Sequence, residues 1–235
     1  MKEKIIIIWS RIYGEPLKPE EREEWVKYRM KIFMNYTAKS FKRQTNQNFI
    51  YYVNYDPESA PYVLEELKKY PELPDNIIFT DKYIEETKKK IVDYKYLYFV
   101  RIDSDDMFQR NFIQKLIDHN PEPETQALIC QSGYIYNAHD GRIKKWFYQS
   151  PPFFTLIYKT EDFLKGFRYL LLEGHKSVIT FPHEILEGHN FIVNYHNKNT
   201  VTFFESSFCK EEITDPIEKT KIIEDFDLKM LSEIE

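Results

Sequence analysis

Residues 101–106 read Arg-Ile-Asp-Ser-Asp-Asp, three carboxylates within four positions, directly after the run Tyr96-Leu97-Tyr98-Phe99-Val100. That run has the length and character of a strand buried on both faces. Like charge at this density costs several kcal/mol to bury unpaired, so the acids are expected where the strand emerges. The carboxyl edge of the sheet is also where open α/β folds bind ligands. Asp103 and Asp105 lie two apart, and in an extended chain both side chains point to one face. Two hard oxygen donors on one face, with room for a diphosphate opposite, suit Mg²⁺ or Mn²⁺. The same acids suit a second use, because Asp105 and Asp106 would cap a helix starting near residue 111.

Other residues could join that chemistry. Arg11 closes a first apolar run, Ile5 to Trp9, and would lie at a strand exit beside a phosphate or base, or be paired with a surface acid. Asp56 ends the next apolar run at the same sheet edge, where it either opens a turn before Pro57 or contacts a ligand. Further on, Pro182-His183-Glu184-Ile185-Leu186-Glu187-Gly188-His189-Asn190 gathers two histidines and two glutamates. It lacks the i, i+4 histidine pair of a zinc protease. On a helix Glu184 and Glu187 share a face and one could act as general base on a hydroxyl; the alternative is an exposed, solvated turn. His196, just past a strand ending at Val193, could ligate a metal or touch a diphosphate.

The elements needed to position these residues can be read from periodicity. Strands are expected at 5–9, 49–53, 76–80 and 96–100, alternating with helices from Pro19 to about Ser40, from Ala60 to Lys69 and from Tyr83 to Asp93. Alternation with short connections indicates a parallel, doubly wound sheet. After a helix at 111–119 the pattern changes. A long strand is expected over Gln126–Tyr136, a hairpin return over Arg142–Tyr148, another strand over 153–158, and a helix from Phe163 capped by Thr160-Glu161-Asp162. The fold class is therefore α/β, a mostly parallel sheet flanked by helices, with mixed strands in the second half and a C-terminal helical tail.

The chain of 235 residues fits one domain with a sizeable core or one domain plus a tail, and its net charge of −5 argues against a nucleic-acid partner. Cys130 and Cys209 fit no metal or redox spacing, which points to a reduced, cytoplasmic protein. Nothing approaches a membrane-spanning run, which leaves only peripheral contact, at the inner membrane face. The 18 Tyr and 18 Phe are read chiefly as core, although aromatic faces also suit sugar stacking.

Taken together, Ser10-Arg11, then Trp25, Arg29 and Phe33 on the first helix, the stretch Ser40-Phe41-Lys42-Arg43-Gln44-Thr45-Asn46-Gln47-Asn48-Phe49, Asp56, the Arg101–Asp106 run and His196-Asn197-Lys198-Asn199-Thr200 resemble one known family. It is the rhamnosyltransferase family of bacteria and their phages, with the A-type (GT-A) glycosyltransferase fold. The resemblance runs to about residue 204. It implies a catalytic domain over 1–204, with a nucleotide-binding half at 1–110 and an acceptor half at 111–204, followed by an amphipathic tail at 205–235. It also implies a metal-dependent hexosyltransferase that moves a sugar, with inversion, from a UDP- or dTDP-sugar to a glycan or other hydroxyl acceptor. In that scheme Asp56 would hold the nucleobase and Asp103 the ribose and metal. Asp105 would coordinate Mn²⁺ or Mg²⁺ as the second carboxylate of a D-x-D motif, and Arg11 and Arg101 would neutralise phosphate charge. His196 would complete the metal or diphosphate site, and Glu184 would be the catalytic base, with Glu187 second. The chain departs from the commonest base motif in having no Asp after Glu184. The apolar stripe of the tail would pack on the body or support a homodimer.

Three other classes compete. A nucleotidyltransferase would use similar parts but usually opens with a glycine-rich phosphate loop, whereas Arg11-Ile12-Tyr13-Gly14-Glu15-Pro16 offers one glycine. A non-catalytic carbohydrate-binding domain would have no use for the intact Asp103/Asp105 pair. A phage transferase acting on a modified DNA base fits the motif, but not the acidic balance.

Overall fold

Ile5 to Ile8 form the centre of β1 (Lys2–Arg11), buried on both faces as their unbroken apolar character requires. Ile6 and Ile8 pack with Met30, Phe33 and Val100 on one side, and Ile5 and Ile7 with Leu97 and Phe99 on the other. The computed structural model describes residues 2–12, 18–196, 198–199 and 202–234. Gly14 of the Arg11–Pro16 segment, and Asn197 and Thr200 of the late motif, lie outside these.

The first half alternates as its periodicity predicts. β1 is followed by α1 (Pro19–Asn35), α2 (Thr37–Lys42), β2 (Ile50–Asn54), α3 (Ala60–Leu67), β3 (Ile77–Thr80), α4 (Tyr83–Lys90) and β4 (Tyr94–Arg101). The expected single helix to Ser40 breaks at Tyr36, whose ring is fully buried. Pro19 opens α1, and Glu20 and Glu21 in its first turn complement the helix dipole.

The second half contains β5 (Met107–Phe108), α5 (Phe112–Asp118), β6 (Ala127–Ile129), β7 (Ser132–Asn137), β8 (Ile143–Phe147), β9 (Phe154–Lys159) and α6 (Thr160–Leu164). A 3₁₀ turn at Gly174–Thr180, β10 (His183–Ile185), β11 (Phe191–Tyr195), β12 (Cys209–Glu212) and α7 (Pro216–Phe226) complete it. The long strand expected over 126–136 is in fact two. β6 and β7 part at Cys130-Gln131 and enter different sheets, which a continuous apolar pattern conceals. Thr160 does not cap α6 through its side chain; its hydroxyl donates to the Tyr94 carbonyl.

The main sheet has the order β3-β2-β1-β4-β9-β6-β10, parallel except for β9. From β3 the chain crosses back past β1 to β4, so the strand order reverses between β1 and β4. Such a switch point opens a crevice at the carboxyl ends of the two strands. A second sheet, β12-β8-β7-β11-β5, is joined to the first by the acidic loop between β4 and β5. This is the α/β class expected, a mostly parallel sheet with helices on its faces and mixed strands after it.

The C-terminal residues belong to the same body. β12 pairs with β8, and Ile213, Ile222, Phe226 and Leu228 are buried with Ile32, Tyr36, Tyr136 and Ile143. Asp227, in a left-handed conformation after α7, ion-pairs with Lys39 and Arg43. No helix among the described residues is long and apolar enough to cross a membrane. Neither cysteine forms a disulfide.

Gly133 on β7 sits where a β-carbon would lie 2.5 Å from the Phe191 ring and 2.6 Å from its carbonyl oxygen on β11. Backbone cannot yield as a flexible side chain can. Gly133→Ala is therefore expected to cost about 1–3 kcal/mol, the usual range for an overpacked core. A lowered urea midpoint with an unchanged slope would confirm it, and an unchanged midpoint would contradict it.

Candidate active site

The acids emerge at the switch point. Register pairs Trp9 with Arg101, so Arg11 and Asp103 both lie just beyond the paired ends of β1 and β4. β4 delivers the loop to one sheet and β5 takes it into the other, where Met107 and Phe108 pair with Ile192 and Phe191. That pairing carries β11 alongside the loop and brings His196, just past the strand, to Asp105, 91 residues away in sequence.

Asp105 is the centre of the cluster. Its Oδ2 accepts from Arg29 Nη1 on α1 at 2.7 Å and lies 3.1 Å from His196 Nε2. Arg29 Nη2 donates to Ser104 Oγ at 2.7 Å. The Arg29 and Asp105 side chains expose only 11% and 12% of their surface, so this is a buried ion pair. Burial alone would raise the Asp105 pKa, but the Arg29 charge and the His196 contact outweigh it and hold the carboxyl well below its ordinary value. Asp106 goes the other way. Burial, and then the charges of Asp105 and Asp103, push it well above the usual carboxylate range, while the Asn194 N–H donates to its Oδ1 at 3.0 Å.

His196 has its side chain fully buried. Its Nδ1 is 2.9 Å from the Tyr28 hydroxyl and accepts from the Lys198 N–H, so in this arrangement Nε2 carries the proton toward Asp105. A tyrosine hydroxyl both donates and accepts, so Tyr28 can hold the ring in either tautomer.

Arg101 donates from Nη2 to Asp103 Oδ1 at 2.8 Å and lies over the Trp9 ring. Asp103 is 43% exposed and is the most open of the three acids. Several buried polar atoms around the acidic loop have no hydrogen-bond partner among the described residues: Trp25 Nε1, Arg29 Nε, Arg101 Nη1, Asn54 Oδ1 and both amide atoms of Asn194. Leaving such a group unmet costs about 1–3 kcal/mol. These atoms lie on α1, at the ends of β2 and β4 and on β11, the elements that surround the acidic loop.

A divalent metal can be tested against this donor set. With metal–oxygen bonds of about 2.1 Å, neighbouring octahedral ligands stand about 3 Å apart; Asp105 and His196 are 3.1 Å apart, but as hydrogen-bond partners. Arg29 shares the same carboxylate oxygen, and among the described residues no group of three or more His, Cys, Asp or Glu gathers at metal-binding distance. A metal would therefore have to displace the Nε2–H bond and take His196 in its other tautomer; Asp105 and His196 could then supply two ligands, and further positions would come from the ligand and water.

The remaining expected residues are placed as follows. Arg11 is exposed at the end of β1. Asp56 opens the turn after β2. Its Oδ1 accepts from Arg22 at 2.8 Å and from the Ser59 N–H, and its Oδ2 accepts from the Ser59 hydroxyl. The helical face considered for Glu184 and Glu187 is not formed. His183–Ile185 is edge strand β10, held to β6 by register, and Glu187 is exposed in the loop that follows. Glu184 thus lies three strands out from β4, roughly 14 Å at the usual strand spacing. Its carboxylate accepts from the Glu122 N–H at 2.8 Å, from Thr125 Oγ1 and from His119. The structure therefore does not bring Glu184 and Glu187 together with Asp103 and Asp105.

Burial opposes ionisation of Glu184, but the bonds from Thr125, Glu122 and His119 prevail and hold its pKa below the ordinary value of 4.5. With the folded-state value below the unfolded one, its stabilising contribution is complete above about pH 4.5 and is lost as pH falls through the folded value. Glu184→Gln is accordingly expected to lower the melting temperature at neutral pH, and the gap to wild type is expected to narrow on acidification. Melting curves between neutral pH and pH 3 check this, and a gap that widens on acidification would refute it.

No protein-family model matches the chain, and no curated protein sequence matches it. Among solved structures it is similar to Staphylococcus aureus TarS, at 14% identity over 83% of this chain and 37% of that one, with a TM-score of 0.39. It thus spans little more than a third of the TarS chain. It is also similar to the 4-diphosphocytidyl-2C-methyl-D-erythritol synthase of Anaerococcus prevotii, at 10% identity over 80% and 87% of the two chains, with a TM-score of 0.40. A third similar structure is CMP:2-keto-3-deoxy-manno-octonic acid synthetase complexed with CTP, at 10% identity over 97% and 100%, with a TM-score of 0.35.

Proposed function

We propose that this chain is a glycosyltransferase of the A-type fold that moves a sugar from a nucleotide-sugar donor to an acceptor hydroxyl, with inversion and with Mn²⁺ or Mg²⁺. The observation that carries this is the convergence of Asp103, Asp105, His196, Arg29 and Arg101 at the switch point. Arg29 is already paired with Asp105 and Arg101 with Asp103, so those two guanidinium charges are matched within the protein before any diphosphate arrives. A donor entering with a divalent cation matches this edge better.

Asp105 and His196 would hold the metal, with Asp103, the open acid, toward the ribose and the metal. When bound, the metal would supply Lewis-acid stabilisation of the departing nucleoside diphosphate. The Arg101 guanidinium, with its unpartnered Nη1, and Arg11 at the end of β1 would take up charge on the phosphate oxygens, a task suited to a planar fork. That charge is greatest in the transition state, so donors fixed in advance lower the barrier more than they tighten ground-state binding. Arg29 acts through Asp105 as a positioning residue. Asp56, engaged by Arg22 and Ser59, would fix the β2 edge against which the base lies. A UDP- or dTDP-linked hexose is the proposed donor, and a glycan or other hydroxyl the proposed acceptor.

The test is release of nucleoside diphosphate from UDP- and dTDP-hexoses with Mn²⁺ and with EDTA. Release that requires Mn²⁺ is the expected result; binding without release from any donor would overturn the transferase assignment.

A further inference from the structure

Resting on the transferase reading, we propose that His175 is the general base of this site, its Nε2 taking the proton of the attacking hydroxyl. His175 belongs to the 3₁₀ turn Gly174–Thr180, which packs on β6 and β10 at the edge of the main sheet. Phe154, the first residue of β9, pairs with Arg101, so Ser150, four residues earlier, precedes β9 at the carboxyl end of β4, and the residue it grips lies at that edge. Ser150 is almost fully buried and grips His175 twice, its hydroxyl donating to the His175 carbonyl and its own carbonyl accepting from Nδ1, both at 2.6 Å. A carbonyl can only accept, so Nδ1 carries the proton and Nε2 presents its lone pair. This is the base–orienter arrangement of acid–base catalysis, with a backbone carbonyl in place of a carboxylate.

The surroundings fit the role. Tyr148, just past β8, packs edge-on against the imidazole at 5.8 Å between centroids. The charges that act on it are Arg101 at the end of β4, Asp103 in the acidic loop and Lys176 on its own turn. His175 is thus held, through Ser150 and the β9–β4 pairing, on the side of the edge where Arg101 and Asp103 emerge, while His196 and Arg29 flank Asp105. Burial, the largest influence, keeps the imidazole below its ordinary value of 6.5, so it is neutral and able to accept a proton at pH 7. Glu184 cannot easily serve here, since its carboxylate is engaged by three donors.

The step balances without another reactant. The acceptor O–H bond breaks, its proton goes to Nε2, and its electron pair forms the new bond to the anomeric carbon. The bond from that carbon to the phosphate oxygen breaks, and its electron pair leaves with the nucleoside diphosphate. The imidazolium then returns its proton to solvent.

His175→Asn is the variant of choice, because the carboxamide can still donate to the Ser150 carbonyl. With UDP-glucose, UDP-galactose and dTDP-rhamnose as donors, Mn²⁺ present and water as acceptor, nucleoside diphosphate release is expected to fall by about 10²–10⁴-fold. Affinity for UDP and dTDP is expected to stay unchanged. His175→Ala is expected to regain part of its rate on addition of imidazole, which a purely structural role would not allow. Release by His175→Asn at close to the wild-type rate would overturn the assignment and leave the transferase reading standing. Wild-type protein that binds UDP or dTDP but releases neither from any donor would overturn both.

Discussion

Asp105→Asn is expected to lower the free energy of unfolding by about 3–5 kcal/mol, the usual effect of removing one partner from a buried ion pair. Arg29 is the reason. Its side chain is 11% exposed and ends on Asp105 Oδ2 and Ser104 Oγ, so loss of the carboxylate leaves a buried guanidinium without a counter-charge. The neighbouring substitution is expected to behave differently. Among the described residues no cation pairs with Asp106, and its Oδ1 accepts one backbone N–H, which a carboxamide oxygen can accept equally well. Asp106→Asn is therefore expected to keep the fold at little cost. Replacing both members of the ion pair, as in Arg29→Met with Asp105→Leu, is expected to recover stability without activity, because two apolar groups leave no buried charge behind. Urea unfolding of the three variants decides the matter. Equal stability of Asp105→Asn and wild type would mean that the pair carries no structural weight.

The second large effect concerns His196. His196→Gln is expected to remove the Mn²⁺-dependent part of UDP or dTDP binding, because it takes away one of the two ligands proposed for the metal. Tyr28→Phe removes only the hydroxyl that holds His196 Nδ1 and is expected to weaken metal-dependent binding by about 10–100-fold. Calorimetric titration of each variant with UDP and dTDP, with and without Mn²⁺, measures both. If His196→Gln kept the wild-type metal dependence, the metal would have to be held elsewhere.

Much of the frame could be read from local pattern. The Ile5–Ile8 run and the Tyr96–Val100 run are long and apolar enough to specify central strands, and the acids after Val100 could hardly lie anywhere but at the sheet edge. The Asp103/Asp105 spacing was visible for the same reason, since it depends on neighbours in sequence.

What could not be read depends on distant contacts. Arg29 stood out on the first helix, but nothing in its spacing shows that it meets Asp105, 76 residues later. The break at Cys130-Gln131 is invisible because β6 and β7 are each apolar enough to continue the other, and only the need to fill two sheets parts them. Glu184 and Glu187 suggested a helical face, yet pairing of His183–Ile185 with β6 imposed a strand and sent Glu184 to Thr125 and His119. Tertiary pairing overrode local spacing there. His175 gave no signal of its own, standing between Gly174 and Lys176. The signal that could have found it is the Ser150 carbonyl, which only the fold brings near.

The most direct measurement is the thermal midpoint of the wild-type protein with UDP, dTDP and GDP, each with and without Mn²⁺. A ligand that binds only the folded state adds about 2.7 kcal/mol at a hundredfold excess over its Kd, enough to move the midpoint clearly. A rise with UDP or dTDP that appears only when Mn²⁺ is present is the predicted result. No rise with any nucleotide, with or without the metal, would contradict the assignment of this sheet edge as a nucleotide-sugar site.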